Sequence, residues 1–344
     1  MTGKVKVLRK EKIGIVGGGN VGKALALALS SKHYDVELVC NKRNGIQIGC
    51  NCEFSMMGDF GDVDCLIHTV EDVEKLSDNL DVIIMATKSY DTLKVLSKCL
   101  SKLSENGCIV TIHNVFCIDK ISKIIPNDKS ICAYLDFNCI SDNNRVQVTN
   151  FNGITLGIYD TLAFEKLEKV KRIFKSFTQV HIAKDIVGFI LGRNILNGAI
   201  SMLGAISGMK LGDILLDRNG RYLFTKIICE AVGVIKRFRI NIVPYNDQLD
   251  YYQFVEDKRY RNKMIKILRQ NNKDVRSSAL SDIENGRKTE ISFVLGLILE
   301  YSQKHIMETK FITAIYEMVK EIEEGVRIIT PDALYDKKLL KLEK

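Results

Sequence analysis

Residues 191–199 read LGRNILNGA, an arginine and an asparagine four residues apart in an apolar, helix-forming run. That spacing stacks Arg193 and Asn197 on one face of a helix. A permanently charged fork beside an amide either bridges to a neighbouring helix or holds an anionic, carbonyl-bearing ligand. A second candidate lies near the start of the chain, where the apolar run KIGIV leads directly into GGGNVGKALALAL. Gly17, Gly19 and Gly22 fit the pattern G-x-G-x-x-G. The first glycine makes a tight turn, the second lets a pyrophosphate approach the backbone, and the third lets helix and strand pack closely. With Gly18, Asn20 and Val21 they would set the amides of a helix N-terminus against the phosphates of a dinucleotide. One strand further on, an NAD enzyme usually carries an acid for the ribose 2′-hydroxyl. This chain has Asn41, Lys42 and Arg43 there. Two cations attract a 2′-phosphate that an acid would repel, so NADP(H) is the expected cofactor; the alternative is that both are solvated loop charges.

The composition around these residues is that of an ordinary folded chain. Its 344 residues are 46% hydrophobic and 27% charged, enough for two domains with separate cores. The net charge of +8 is spread along the chain, without the concentrated basic patch and interleaved aromatics of a nucleic-acid surface. An excess of lysine suits a small anionic ligand equally well. The ten cysteines lack metal-binding spacing, and CNC at 50–52 is too tight for a zinc knuckle. No metal is expected, and free thiols with no secretory leader point to the cytoplasm. No apolar run approaches the ~20 residues of a membrane span.

The elements that must position these residues fall into two textures. KIGIVGG, VELVC, CLIHTV, VIIMAT and CIVTIHN are short β-branched runs, separated by helical patterns such as KALALALSSK and DTLKVLSKCLSKL. Strand and helix in alternation predict a parallel sheet covered on both faces. SICAYLDFNCI and RVQVTNFNGITLGIYD are extended additions that close this domain, and TLAFEKLEKVKRIFKSF is an amphipathic helix. Helical segments then follow one another at 186–206, 217–238, 248–270, 289–304 and 310–323, with a break at the NGR of 285–287. The pattern predicts an α/β dinucleotide-binding domain over 1–183 and an all-α domain over 184–344.

Several separated motifs fall into one register that resembles the ketopantoate reductase family, NADPH-dependent reductases of a branched 2-oxo acid. Besides the glycine loop, MATKSYDT at 85–92 resembles the family's strand end with its lysine, here Lys88. TIHNVF at 111–116 resembles the strand end that supplies an asparagine, here Asn114. GRNILNGAI resembles the catalytic helix, and SSALSDIENGRKTEISFVLG at 277–296 resembles the most diagnostic segment, bringing Ser278 and Glu290. The resemblance implies a Rossmann-type domain followed by a helical domain like the C-terminal domain of 6-phosphogluconate dehydrogenase, with dimerisation through the helical domain plausible. It implies that Asn197, Ser278 and Asn114 contact a small anionic oxo acid, that Lys88, Asn114 and Glu290 lie at the cofactor, and that Arg193, Glu290 and Lys88 take part in catalysis. Read singly, Asn197 could cross-link helices, Ser278 could cap one and Glu290 could be an ordinary first-turn acid.

Two positions depart from the family pattern. Arg193 stands where the family has its catalytic lysine. A lysine's pKa falls readily on burial, which suits a general acid, whereas an arginine surrenders a proton only far above neutral pH. Arginine still polarises a carbonyl, stabilises an alkoxide or clamps a carboxylate. Val115 replaces the family's usual glycine after the asparagine. A reductase with another proton source such as Lys88, a reductase of a different oxo acid, and a protein that has lost catalysis all follow from these departures. The leading expectation is conversion of a 2-oxo acid to its 2-hydroxy acid, with pantoate formation as the specific reaction. The rivals are an opine-type reductase of an amino acid–oxo acid adduct and a non-catalytic NADP(H)-sensing protein. His113 precedes Asn114 and could move a proton, but His33, His68, His181 and His305 are too scattered to form a site.

Overall fold

The computed structural model describes residues 10–41, 47–112, 118–149, 152–246 and 248–342. The chain divides between Ile186 and Val187 into two compact units. The first runs β1 (Lys12–Val16), α1 (Asn20–Ser30), β2 (Asp35–Val39), β3 (Asn51–Gly58), β4 (Val63–Val70), β5 (Leu80–Met85), α2 (Ser89–Lys102), β6 (Leu103–Thr111) and α3 (Ile118–Ile121). It continues with β7 (Ser130–Leu135), β8 (Asn138–Asp142), β9 (Arg145–Thr149), β10 (Ile154–Gly157), α4 (Phe164–Lys175) and β11 (Val180–Ile182).

These strands form one mixed sheet in the order β11-β10-β7-β6-β5-β1-β2-β4-β3-β9-β8. Its centre is parallel: β1 pairs with β2 and β5, and β6 runs between β5 and β7. The β3–β4 and β8–β9 pairs are antiparallel, while β3 and β9 run parallel. β3 is a strand that periodicity did not reveal. It buries Cys52, Phe54 and Met56 on one face, an alternation disguised by cysteine and methionine at the inward positions.

The strand order forces the sheet to curl. β7 and β8 stand eight places apart, which in a flat sheet would separate them by roughly 38 Å at about 4.8 Å per strand. Only Asp136 and Phe137 link them, a reach of at most about 11 Å. The sheet therefore wraps round α1, whose residues Gly22–Leu29 are all buried and which touches β1, β2, β3, β4, β8 and β9. Phe60, after β3, packs edge-to-face on Phe137 in the link (5.2 Å) and on Phe177 beyond α4 (5.5 Å), fastening the curl where its ends meet.

The second unit is helical: α5 (Ile186–Ser207), α6 (Leu211–Leu216), α7 (Arg218–Arg237), α8 (Tyr251–Glu256), α9 (Lys258–Asn271), α10 (Ser278–Glu284), α11 (Ile291–Val294), α12 (Gly296–Lys304), α13 (Lys310–Glu323) and α14 (Lys337–Lys341). The expected helix over 248–270 is two helices, because Asp257 caps α9 by accepting from the amides of Arg259 and Tyr260. The segment 289–304 also divides, at Leu295 between α11 and α12.

α5 corrects the expectation that no segment has the length and apolarity of a membrane span. Its 22 residues pass that test by composition, but 78% of its most apolar window is buried inside the protein, so it is the core helix of its unit. Close approach to α5 depends on missing side chains. A Cβ on Gly204 would lie 2.4 Å from the Ser277 Cβ, so glycine there lets the head of α10 rest on the helix. Ser277 then bonds to the Ser201 carbonyl at 3.0 Å. Replacing Gly204 with alanine should destabilise the protein by about 1–3 kcal/mol by forcing α10 outward, read as a lower midpoint in thermal or urea unfolding; an unchanged midpoint would show that this contact relaxes freely.

Candidate active site

In the first unit the candidate residues follow the carboxyl ends of adjacent parallel strands, where open α/β sheets bind ligands. The glycine turn follows β1, Asn41 lies just beyond β2, and Lys88 stands three residues after the end of β5. Gly17 is in the left-handed region at φ 120°, and a Cβ there would sit 2.8 Å from the Ala86 carbonyl group. The turn is thus pressed against the segment leading to Lys88. A Cβ on Gly22 would lie 1.8 Å from the Gly17 oxygen, so the helix can begin this close to the strand only with glycine.

Gly19 is different. It caps α1 without a side chain, and a Cβ built on it meets no atom within 4 Å. Space therefore stands open beside the first-turn amides, whose unpaired N–H groups suit an anion such as a phosphate. Gly18 is buried and Val21 half-buried. The Asn20 side chain is engaged elsewhere: its Nδ2 donates to the Cys139 carbonyl at 3.0 Å, and its Oδ1 accepts from Ser141 Oγ at 2.7 Å. Only the backbone of Asn20 faces the cradle unencumbered by these bonds. Asn41 is exposed; Lys42 and Arg43 lie outside the described residues. Lys88 occupies the N-cap position of α2, half-buried, and its carbonyl accepts from the amides of Asp91 and Thr92. Asn114, with His113 and Val115, lies outside the described residues.

In the second unit Arg193 is only 7% exposed. Its guanidinium carbon lies 4.9 Å from the centre of the Phe189 ring and 4.2 Å from that of Tyr245. Nη1 donates to Asn246 Oδ1 at 2.6 Å. Two ring faces and a hydrogen bond hold the guanidinium in place. The adjoining Asn194 is equally buried, and its Nδ2 has no hydrogen-bond partner among the described residues.

One and two turns further along α5, Asn197 is exposed and Ser201 half-exposed. Ser201 Oγ lies 3.5 Å from Ser278 Oγ, so the structure joins the serine of the diagnostic segment to the stripe that begins at Arg193. Ser278 caps nothing. Ser277 is the cap, accepting from the Leu280 amide at 3.1 Å, which leaves the Ser278 hydroxyl exposed. Ser201 was missed by the sequence reading, although its place two turns beyond Arg193 was a usable signal. Tyr245 and Asn246 gave no signal, being some fifty residues away.

Glu290 is half-buried and takes the N-cap position of α11 without capping it through its side chain. α11 and the residue after it lie against α5 at Gly198, where a Cβ would be 3.0 Å from Val294 and 2.8 Å from Leu295. The backbone leading into Glu290 is pinned: the Thr289 amide and hydroxyl both donate to Glu323 Oε1, at 2.8 and 2.5 Å, and Lys320 donates to Glu323 Oε2. Burial alone would raise the Glu323 carboxyl, but these hydrogen bonds outweigh it and hold the group below the usual value of 4.5. A depressed carboxyl stabilises the fold above its unfolded value, and the contribution is lost as pH falls through the folded one.

Two outcomes follow. Gly19→Ala should leave the unfolding midpoint unchanged yet weaken dinucleotide binding about tenfold or more, whereas Gly22→Ala should cost about 3 kcal/mol or more of stability. Equal effects of the two would remove the distinction between an open cradle and a packed turn. Thr289→Val should cost about 1–3 kcal/mol at neutral pH, and the deficit should shrink as pH falls below about 4.5. A deficit independent of pH would place its cause elsewhere.

Comparison with known proteins matches residues 13–161 to the family model "Ketopantoate reductase PanE/ApbA" and residues 185–323 to "Ketopantoate reductase PanE/ApbA C terminal". A 2-dehydropantoate 2-reductase of Aquifex aeolicus (strain VF5) is 25% identical over 317 residues, 90% of this chain and 96% of that protein. Among solved structures, a ternary complex of D-mandelate dehydrogenase with NADH and anilino(oxo)acetate superposes with a TM-score of 0.75 at 17% identity, covering 92% of this chain and all of the other. A dimeric ketopantoate reductase from Staphylococcus aureus gives 0.69 at 16% identity, covering 92% and 99%. With both family models accounting for most of its length in the expected order, the chain belongs to the ketopantoate reductase family and is an oxidoreductase of the 2-dehydropantoate 2-reductase type.

Proposed function

We propose that the protein is an NADPH-dependent reductase of a small 2-oxo acid, with ketopantoate as the leading substrate and pantoate as its product. The observation that carries this reading is the stripe on α5: Arg193 fixed at one end, Asn197 and Ser201 on the following turns, and Ser278 brought to Ser201. Carboxylate, hydroxyl and carbonyl groups of a 2-oxo acid need such a row of donors around one cation. The open space at Gly19, following the strand end as a pyrophosphate cradle should, supports a dinucleotide. Lys42 and Arg43 favour the 2′-phosphate form on chemical grounds. The NADH complex of the structurally similar D-mandelate dehydrogenase, which also holds an oxo acid, supports the same reaction class.

When bound, the reduced nicotinamide supplies a hydride to the carbonyl carbon. Asn197, Ser278 and Asn114 orient the substrate, and Glu290 completes the polar lining. Arg193 offers a fixed positive charge to the alkoxide that develops. A guanidinium is a poor proton donor at neutral pH, so the proton comes from a different group, and Lys88 is assigned that role. The first unit serves as the cofactor domain and the helical unit as the substrate domain. The exposed Leu216, Val326 and Ile328 of the helical unit suit a homodimer interface. The reaction is assigned to the cytoplasm.

The test is NADPH consumption by the purified protein with ketopantoate and with a panel of other 2-oxo acids, alongside NADPH and NADH binding. Turnover with one oxo acid, tighter binding of NADPH than of NADH, and a kcat about a hundredfold lower in Lys88→Met are expected. Arg193→Lys should restore a dissociable proton at the family position. If NADPH binds but is consumed with no oxo acid by either wild type or Arg193→Lys, the protein is a sensor of the dinucleotide. Consumption only when an amino acid is added as well would identify an opine-type reductase.

A further inference from the structure

Cys50 and Cys52 flank the entry into β3, and their sulfurs lie 3.5 Å apart. Cys52 is buried and Cys50 partly exposed, so one thiol of the pair meets solvent and the other stands behind it. The pair sits at the base of the loop that returns from β2. The Cys52 thiol donates to the Gln47 carbonyl at 3.3 Å, and the Thr69 hydroxyl donates to the same oxygen at 2.9 Å. The Thr69 amide bonds the Cys50 carbonyl at 3.0 Å, and the Gly49 amide bonds the Thr69 carbonyl at 2.8 Å. On the outgoing side the Cys40 amide bonds the Val70 carbonyl at 2.9 Å. β4 thus holds both limbs of the loop that begins at Asn41, and a thiol completes the hold on its returning limb.

We propose that Cys50 and Cys52 form a reversible dithiol–disulfide site, oxidised by a glutathione-type disulfide, that changes how the loop after β2 is anchored. The Cys50 thiolate attacks one sulfur of the small disulfide, forming a mixed disulfide and releasing one small thiolate. The Cys52 sulfur then attacks the Cys50 sulfur, displacing the second. The two protein thiols lose two electrons and two protons, and the small disulfide becomes two thiols. The sulfurs must close from 3.5 Å to about 2.05 Å. Oxidation removes the S–H that reaches the Gln47 carbonyl and leaves Thr69 as its partner. The mutual hydrogen bond of the pair raises the Cys50 thiol above its ordinary value, so the reaction runs faster as pH rises.

The other cysteines serve as internal controls. Cys99 and Cys132 are buried, and burial pushes both thiols up to about 12. Reduced protein is equilibrated with oxidised and reduced glutathione across a range of ratios, trapped with an alkylating agent, and read by intact mass and peptide mapping. The expected result is the loss of two hydrogens, a Cys50–Cys52 cross-link that dithiothreitol reverses, unmodified Cys99 and Cys132, and no cross-link in Cys50→Ser. Finding both thiols alkylated at every ratio, or only a stable glutathione adduct, overturns the site. NADPH binding, followed by nicotinamide fluorescence, should weaken about threefold to tenfold on oxidation and stay unchanged in Cys50→Ser given the same treatment. A disulfide that forms without changing the affinity overturns the coupling to the loop. This last arm rests on the dinucleotide reading: failure of reduced wild type to bind NADPH would count against that reading, whereas the cross-link is judged by mass alone.

Discussion

The contact between Gly22 and the Gly17 carbonyl sets how soon a helix can follow the first strand. With 1.8 Å between that oxygen and the place a Cβ would take, no other residue allows α1 to begin with only three residues between it and β1. α1 is therefore drawn into the sheet rather than laid across it, and it is buried along its length from Gly22 to Leu29. A helix buried on every side needs strands on every side. The short link through Phe137 supplies them, folding the β8–β9 hairpin over α1 until Asn20 bonds with Cys139 and Ser141. Lys23, buried in the first turn, donates to the Asn143 carbonyl in the hairpin's turn, and burial lowers its pKa. The same turn rests on Ala86 and so fixes the approach to Lys88. Strand order, helix burial and the layout of the cofactor side share one steric origin.

The parallel centre of the sheet and most of the long helices were legible in the sequence because their patterns are local. β-branched runs and glycine spacing report themselves within a dozen residues. The curl did not, because it depends on β3 pairing with β9 across some ninety residues, and because β3 reads as polar with cysteine and methionine between. Asp257 was a readable cap inside an apparently continuous helix, and the periodicity of the flanking residues hid it. The paired serines show a finer limit. Composition marks 277–278 as a helix start, but only the packing on Gly204 decides which serine turns to the backbone and which turns to Ser201. The resemblance to the family carried Asn197, Ser278 and Glu290, while the joining of Ser278 to Ser201 came from the structure.

The candidate residues of the helical unit follow a consistent logic. α5 is nearly all buried, so polar groups on it survive only where neighbours leave them room or satisfy them. Gly198 lets α11 and Leu295 lie close to α5, and Gly204 admits the head of α10, which brings Ser278 to the turn that carries Ser201. Along the stripe Arg193 is buried, whereas Asn197 and Ser201 keep access to solvent.

Arg193 is the point at which this chain departs from the lysine that the family resemblance implies. A lysine at this position would present a compact, strongly hydrated charge with nothing planar to stack, and it could release a proton once desolvated. The guanidinium instead lies between Phe189 and Tyr245 and is tied to Asn246, a residue in the left-handed region at φ 51°. Each of those contacts uses the flatness, the fork or the permanent charge of arginine, and none uses a dissociable proton. The arginine is therefore held by partners that use its flat, forked cation. Under the proposed reaction, an arginine here would separate two duties that a single lysine could combine: holding the developing oxyanion and protonating it. The first duty would then stay on α5, and the second would fall to a group outside it.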